Sequence, residues 1–168
     1  SQEKGMDILV EAAREIRDRY GAEVRVRIVG SGGEKQSLEN LVERYGLQKS
    51  VHFDGHVTFG HDLLTRYANA QIVAIPSRTE GLPKSATEAM ALGCPVVATR
   101  VGGLPEVVGD DEKRGLLVPP ENPAALADAI WRILQNKGEA REMANNAREY
   151  GSQFTMERQV EIIAKTLK

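Results

Sequence analysis

Short apolar runs rich in β-branched residues alternate with stretches of helical periodicity along the whole of this chain. That alternation restricts the fold more than any single residue does. Parallel strands cannot be joined by a tight turn and need a long crossover, which a helix supplies, so the pattern points to βαβ units and a parallel sheet. The expected class is α/β, a Rossmann-like three-layer domain with helices on both faces of its strands.

The first helix is expected to begin near Gly5, to bury Leu9, Ala12, Ala13, Ile16 and Tyr20, and to stop at Gly21. Val24 to Val29 is the first strand, ending at Gly30-Ser31-Gly32-Gly33. A second helix presents Leu38, Leu41, Val42 and Tyr45 and leads to the short strand Val51-His52-Phe53; a third, with Leu63, Leu64, Tyr67 and Ala68 inward, precedes Ile72 to Ile75. Pro76 ends that strand, because proline lacks the N–H a central ladder requires. The next helix lies within Ser85 to Leu92, followed by the strand Val96 to Thr99, a Gly102-Gly103 turn and the strand Leu116 to Val118. Asn122-Pro123 opens a helix with Leu126, Ile130, Trp131, Ile133 and Leu134 inward, Trp131 being read as core, and further helices fit Glu139 to Tyr150 and Met156 to Leu167.

In an open parallel sheet, ligands settle beyond the carboxyl ends of the strands. The loops Gly30 to Gly33, Gly55 to Val57, Pro76 to Lys84, Arg100 to Pro105 and Pro119-Pro120 therefore form one expected rim. Residues 1–168 are expected to make a single domain, and the near balance of 22 Lys+Arg against 24 Asp+Glu gives no overall basic field for nucleic acid. No apolar run reaches the roughly 20 residues of a membrane helix, and the chain reads as cytoplasmic. Cys94 lacks an internal partner and is read as a reduced, buried thiol. His52, His56 and His61 lack the companions of a metal cluster, so neither metal nor cofactor is expected.

Gly30-Ser31-Gly32 resembles the start of a dinucleotide fingerprint, but Lys35 stands where its last glycine belongs, which disfavours a nicotinamide-dependent dehydrogenase. What survives is a small-residue turn that lets backbone N–H groups approach an anion, or else a tight strand-to-helix connection. The most informative stretch is Pro76 to Val97, in which Glu80 and Glu88 stand with seven residues between them. Ser85-Ala86-Thr87-Glu88 is also a capping-box pattern, in which the Glu88 carboxylate would turn back onto the helix start. Glu80 by itself could equally be a solvated loop acid, and Lys4 an exposed lysine near a terminus.

This stretch closely resembles the E-x7-E signature of retaining glycosyltransferases with the GT-B fold, family 4 type. The resemblance extends over Lys4-Gly5, Phe53-x-Gly55, Pro76-Ser77, Glu80-Gly81, Glu88-Ala89-Met90-Ala91, Gly93-x-Pro95-Val96-Val97, and Gly102-Gly103 followed by Glu106. It implies the carboxy-terminal, donor-binding half of such an enzyme, with a nucleotide-diphosphate sugar as substrate and a separate amino-terminal acceptor half absent from residues 1–168. Membrane association would come only through that half, and the chain, which begins without Met, is read as processed or as part of something longer.

The resemblance gives Lys4 a grip on the donor diphosphate, Glu80 a place beside the sugar, and Glu88 the ribose hydroxyls. Gly30, Ser31, Gly32, Ser77, Gly81, Leu82, Pro83, Lys84 and Ser85 complete the expected donor site, with His56 and Val57 in the loop beside the nucleobase. His56 can also simply cap its loop, and Arg78 is read as a solvated rim residue. Leu82-Pro83-Lys84 departs from the commoner, more glycine-rich family wording in the loop that surrounds the hexose. The competing class is a non-catalytic nucleotide-binding or interaction module of the same fold.

Overall fold

The computed structural model describes residues 2–58 and 60–152; the helix expected over Met156 to Leu167 lies outside them. After a 3-10 turn at Gln2–Lys4 the elements run α1 (Met6–Tyr20), β1 (Val26–Val29), α2 (Lys35–Arg44), β2 (Val51–Gly55), α3 (His61–Asn69), β3 (Val73–Ile75) and α4 (Lys84–Ala91). They continue with β4 (Val96–Thr99), α5 (Leu104–Val108), β5 (Gly115–Val118), α6 (Pro123–Gln135) and α7 (Lys137–Gly151). The strand-helix alternation is as expected. One helix was not: α5 replaces a plain turn after Gly102-Gly103, with Pro105 in its first turn and Gly109 ending it.

Every strand pairing is parallel, and the hydrogen bonds divide the strands into β1-β2 and β3-β4-β5. All four residues of β4 are buried, which is why its sequence is three small apolar residues and a threonine rather than an alternating pattern. Its side chains go to both faces. Val97 packs with α1, α6 and Leu116 and Val118 of β5, while Val96 and Ala98 pack with α4, α5 and Ala147 of α7. A third cluster joins Val10 and Ala13 of α1 to Ile28, Val42 and Val51, so α1 serves both sheets.

Asn122 caps α6 by accepting the Ala125 N–H at 2.9 Å, and Pro123 occupies the first turn, as the sequence indicates. Tyr20, expected in the core, is half-buried and stacks on Trp131 with ring centroids 4.9 Å apart. Ala68, expected inward, is exposed, and α3 has no buried residue: Leu63 lines a large cleft, and Tyr67 lines it while also packing against the cluster built on α4. Among the described residues no helix is long and apolar enough to cross a membrane.

Candidate active site

Two adjoining cavities meet beyond the end of β3, the larger running along the whole of β1 and β3 to the loops that follow them. The larger, about 1370 Å³, takes in Gly30 to Gly32, Gly55 to Val57, Ser77, Glu80 and Ser85. The smaller, about 460 Å³, is lined by Glu3, Lys4, Arg78 to Gly81, Val101 and Gly102. Lys4 and Glu80 line both. Pro119-Pro120 lines neither cavity.

Proline at the end of β3 turns the chain out of the ladder and starts the loop that carries Glu80. The Glu80 carboxylate is 8% exposed, accepts the Lys4 Nζ at 2.8 Å, and accepts the Ser77 hydroxyl at 3.3 Å. Ser77 is in turn buried, and its carbonyl accepts the Thr99 hydroxyl at 2.5 Å. Glu80 is therefore not a solvated loop acid. Lys4, half exposed, meets it because Gly5 lets the backbone come close: at φ 62°, a Cβ there would lie 2.0 Å from the Pro76 carbonyl oxygen. Gly102 repeats the device at φ 52°, where a Cβ would fall 1.6 Å from the carbonyl oxygen of Glu80 itself. These two close approaches give the Lys4-Gly5 and Gly102-Gly103 pairs a physical reason.

Glu88 stands apart from this pair. The cap of α4 is Pro83, no side chain caps the helix, and Ser85 lies inside it, so the capping-box reading fails. Instead the Glu88 carboxylate accepts the Tyr67 hydroxyl at 3.5 Å, and Tyr67 lines the large cleft. Burial, with the Glu88 charge beside it, pushes the Tyr67 phenol up to about 12, so it stays a donor. Leu82, Pro83, Lys84 and Glu88 itself line neither cavity; Leu82 and Lys84 are exposed, and Pro83 packs against Gly103. At the start of α4 the Lys84, Ala86 and Thr87 N–H groups are engaged by Leu82 and Pro83 carbonyls. Of the first N–H groups of α4, that of Ser85 is the one left for a ligand.

Across the cleft, Gly30 at φ 132° donates its N–H to the Gly55 carbonyl at 2.8 Å, tying the ends of β1 and β2 together. His56 is exposed and Val57 half-buried there. Asp54, 8% exposed, accepts Arg27 Nη2 at 2.8 Å and Arg66 Nη1 at 2.6 Å. Those guanidinium groups, Arg27's hydrogen bonds foremost, hold its carboxyl below the ordinary carboxylate range.

Sequence reasoning missed three residues. Arg78 is a partly buried ion-pair hub, not a solvated rim residue: it pairs with both Asp7 and Glu121, which lie far from it in sequence. Thr99 and Tyr67 were read as strand and helix core, and nothing in their local sequence distinguishes the hydroxyls that support Ser77 and Glu88. Cys94 is buried as expected, which pushes its thiol up to about 12.

Parallel strands flanked by helices, with a cleft that reaches their carboxyl ends and a lysine and a carboxylate paired there, define a Rossmann-like domain with a candidate ligand site. The chain belongs to the glycosyl transferases group 1 family, whose model matches residues 1–150. It is 37% identical over 147 residues to an uncharacterized glycosyltransferase of Methanocaldococcus jannaschii, covering 88% of this chain and 37% of that protein. It superposes on sucrose-phosphate synthase from Thermosynechococcus elongatus with TM-score 0.85 and 35% identity, over 99% of this chain and 43% of that one. Anabaena HepE solved with UDP gives TM-score 0.88 and 29% identity, over 99% and 46%, and the same protein was also solved with UDP-glucose. The chain thus spans less than half the length of each of these relatives. Its fold is the Rossmann-like domain of GT-B glycosyltransferases.

Proposed function

We propose that this chain is the donor-binding half of a retaining glycosyltransferase that moves a hexosyl group from a nucleotide-diphosphate sugar to an acceptor held by a separate half. The observation that carries the proposal is the Lys4–Glu80 pair, 2.8 Å apart where the two cavities meet. Departure of a nucleoside diphosphate leaves negative charge on phosphate, and a cation placed there stabilises the transition state more than the ground state. Lys4 is the mobile partner, half exposed and able to turn from Glu80 to the diphosphate, with the Ser85 N–H at the helix start as a second donor.

Glu80 stays fixed by Ser77. Once Lys4 turns away, its carboxylate is free to accept sugar hydroxyls and to favour positive charge developing at the anomeric carbon. Glu88, held by Tyr67, takes the ribose hydroxyls, and the Gly30 to Gly32 turn with His56 and Val57 flanks the nucleobase. In this reading the donor needs no metal, nucleic acid is not a partner, the site is cytoplasmic, and membrane contact belongs to the acceptor half. HepE, with UDP and UDP-glucose in its complexes, supports a uridine nucleotide as the first to try.

Calorimetry with UDP, GDP, ADP and UDP-glucose tests the proposal. One nucleotide series is expected to bind with a dissociation constant below about 1 mM, and failure of all of them overturns it. Sugar transfer by the chain alone is expected to be negligible, and robust turnover would show that no acceptor half is needed.

A further inference from the structure

A guanidinium carries five N–H donors, and a catalytic arginine keeps some of them for its substrate. Arg78 keeps none. Nη1 donates to the Gln2 carbonyl at 2.6 Å and to Asp7 Oδ1 at 2.8 Å. Nη2 donates to Asp7 Oδ2 at 2.7 Å and to Glu121 Oε2 at 3.2 Å, and Nε donates to Glu121 Oε1. Its backbone N–H donates to the Glu3 carbonyl at 2.7 Å. One residue thus grips the 3-10 turn at two successive carbonyls, the first turn of α1 through Asp7, and the loop after β5 through Glu121.

Two of those attachments adjoin the Lys4–Glu80 pair. Gln2 and Glu3 belong to the turn that carries Lys4, and Arg78 lies two residues before Glu80 in the same loop. Glu121 sits at φ 55°, a left-handed conformation that a non-glycine residue keeps when its surroundings enforce it. A lysine could reach one of these acceptors but could not fork to all of them.

We propose that Arg78 is a positioning residue for the donor site: with every N–H committed, it contacts no phosphate and fixes the Lys4 turn against the Glu80 loop. The proposal rests on the donor-binding reading for its consequence, and on the hydrogen bonds alone for its mechanism. A misplaced ammonium loses most of its worth to a transition state, since displacements of about 1 Å cost up to ~100-fold.

Two measurements test it on the whole chain. By hydrogen exchange, Arg78→Ala and Arg78→Lys should both speed exchange of the Gly5 amide, which donates to the Gln2 carbonyl at 3.1 Å, while amides of β4 keep their protection. The expected acceleration is about tenfold. By calorimetry, Arg78→Ala should weaken UDP-glucose about tenfold when Lys4 is present and less than about twofold in a Lys4→Ala background. Unchanged Gly5 exchange, or equal losses with and without Lys4, overturns the proposal. Should Arg78→Ala not fold, Asp7→Asn, which removes one carboxylate from the hub, must give the same signs at smaller size. A wild-type chain that binds no UDP-glucose would sink the donor reading, while Gly5 exchange still decides what Arg78 does.

Discussion

On the lip of the cleft that holds Glu80, backbone presses on backbone: Gly102 has no room for a Cβ beside the Glu80 carbonyl, and Gly5 none beside that of Pro76. On the opposite lip, Gly30, Gly33 and Gly55 face open space, and Val29 is 39% exposed. The two lips use glycine for different purposes. One needs close contact so that a charged pair is held at a fixed separation; the other needs the positive φ of Gly30 and Gly55, 132° and 70°, in turns that nothing covers. The contrast suits a site in which the reacting centre is preorganised and the nucleobase side stays accessible.

The largest test of this contrast is a pair of alanines. Gly102→Ala adds a methyl 1.6 Å from the Glu80 carbonyl oxygen at φ 52°. It should lower stability by about 3 kcal/mol, combining left-handed strain with overpacking. Gly33→Ala, with nothing within 4 Å, should stay within about 0.5 kcal/mol. Urea denaturation measures both, and similar losses would show that the lips are equally packed.

A smaller effect separates the chemistry of the lips. Glu80→Ala should weaken UDP-glucose about tenfold while leaving UDP within about twofold, because the partners assigned to Glu80 are on the sugar and charged hydrogen bonds are the strong ones. Glu88→Gln should weaken UDP and UDP-glucose alike, since its assigned partner is the ribose. Competition binding with both ligands decides between them: equal loss of UDP and UDP-glucose at Glu80 would remove its role at the sugar.

What the sequence discloses divides along the same line. The helices are legible because their apolar residues recur with period 3.6, and the strands because short β-branched runs stand between them, the order of the strands in the sheets not being read. Glu80 and Lys4 were legible through a family resemblance, since a lone lysine and a loop acid have no local signature. Arg78 was misread because its partners are supplied by α1 and the loop after β5, and long-range pairing leaves no mark at position 78. Glu88 fitted a capping box in sequence, but α4 begins at Lys84, two residues before that pattern requires, and the pattern falls out of register with the helix end. Ala68 fitted an inward stripe, yet α3 faces the cleft.

The smallest expected effect concerns how the open lip is held. Having no close-packed glycines, it relies on Asp54, which ties the end of β2 to Arg27 on β1 and Arg66 on α3. The packed lip has its own ion pair, Asp7–Arg78, but the Asp7 carboxylate is 42% exposed against 8% for Asp54. Arginine hydrogen bonds hold both carboxyls below the ordinary carboxylate range. A depressed folded value means that the folded state binds fewer protons, so the stabilisation is present above the unfolded value and is lost as pH falls through the folded one. Asp54→Asn should therefore cost about 1 kcal/mol at pH 7, and the deficit should close as the wild type is acidified below the ordinary aspartate range. Asp7→Asn should show the same sign at less than about half that size, because solvent screens the exposed pair. Denaturation midpoints across this range measure both slopes. An acid dependence larger at Asp7 than at Asp54 would mean that the open lip is held by something other than its buried carboxylate.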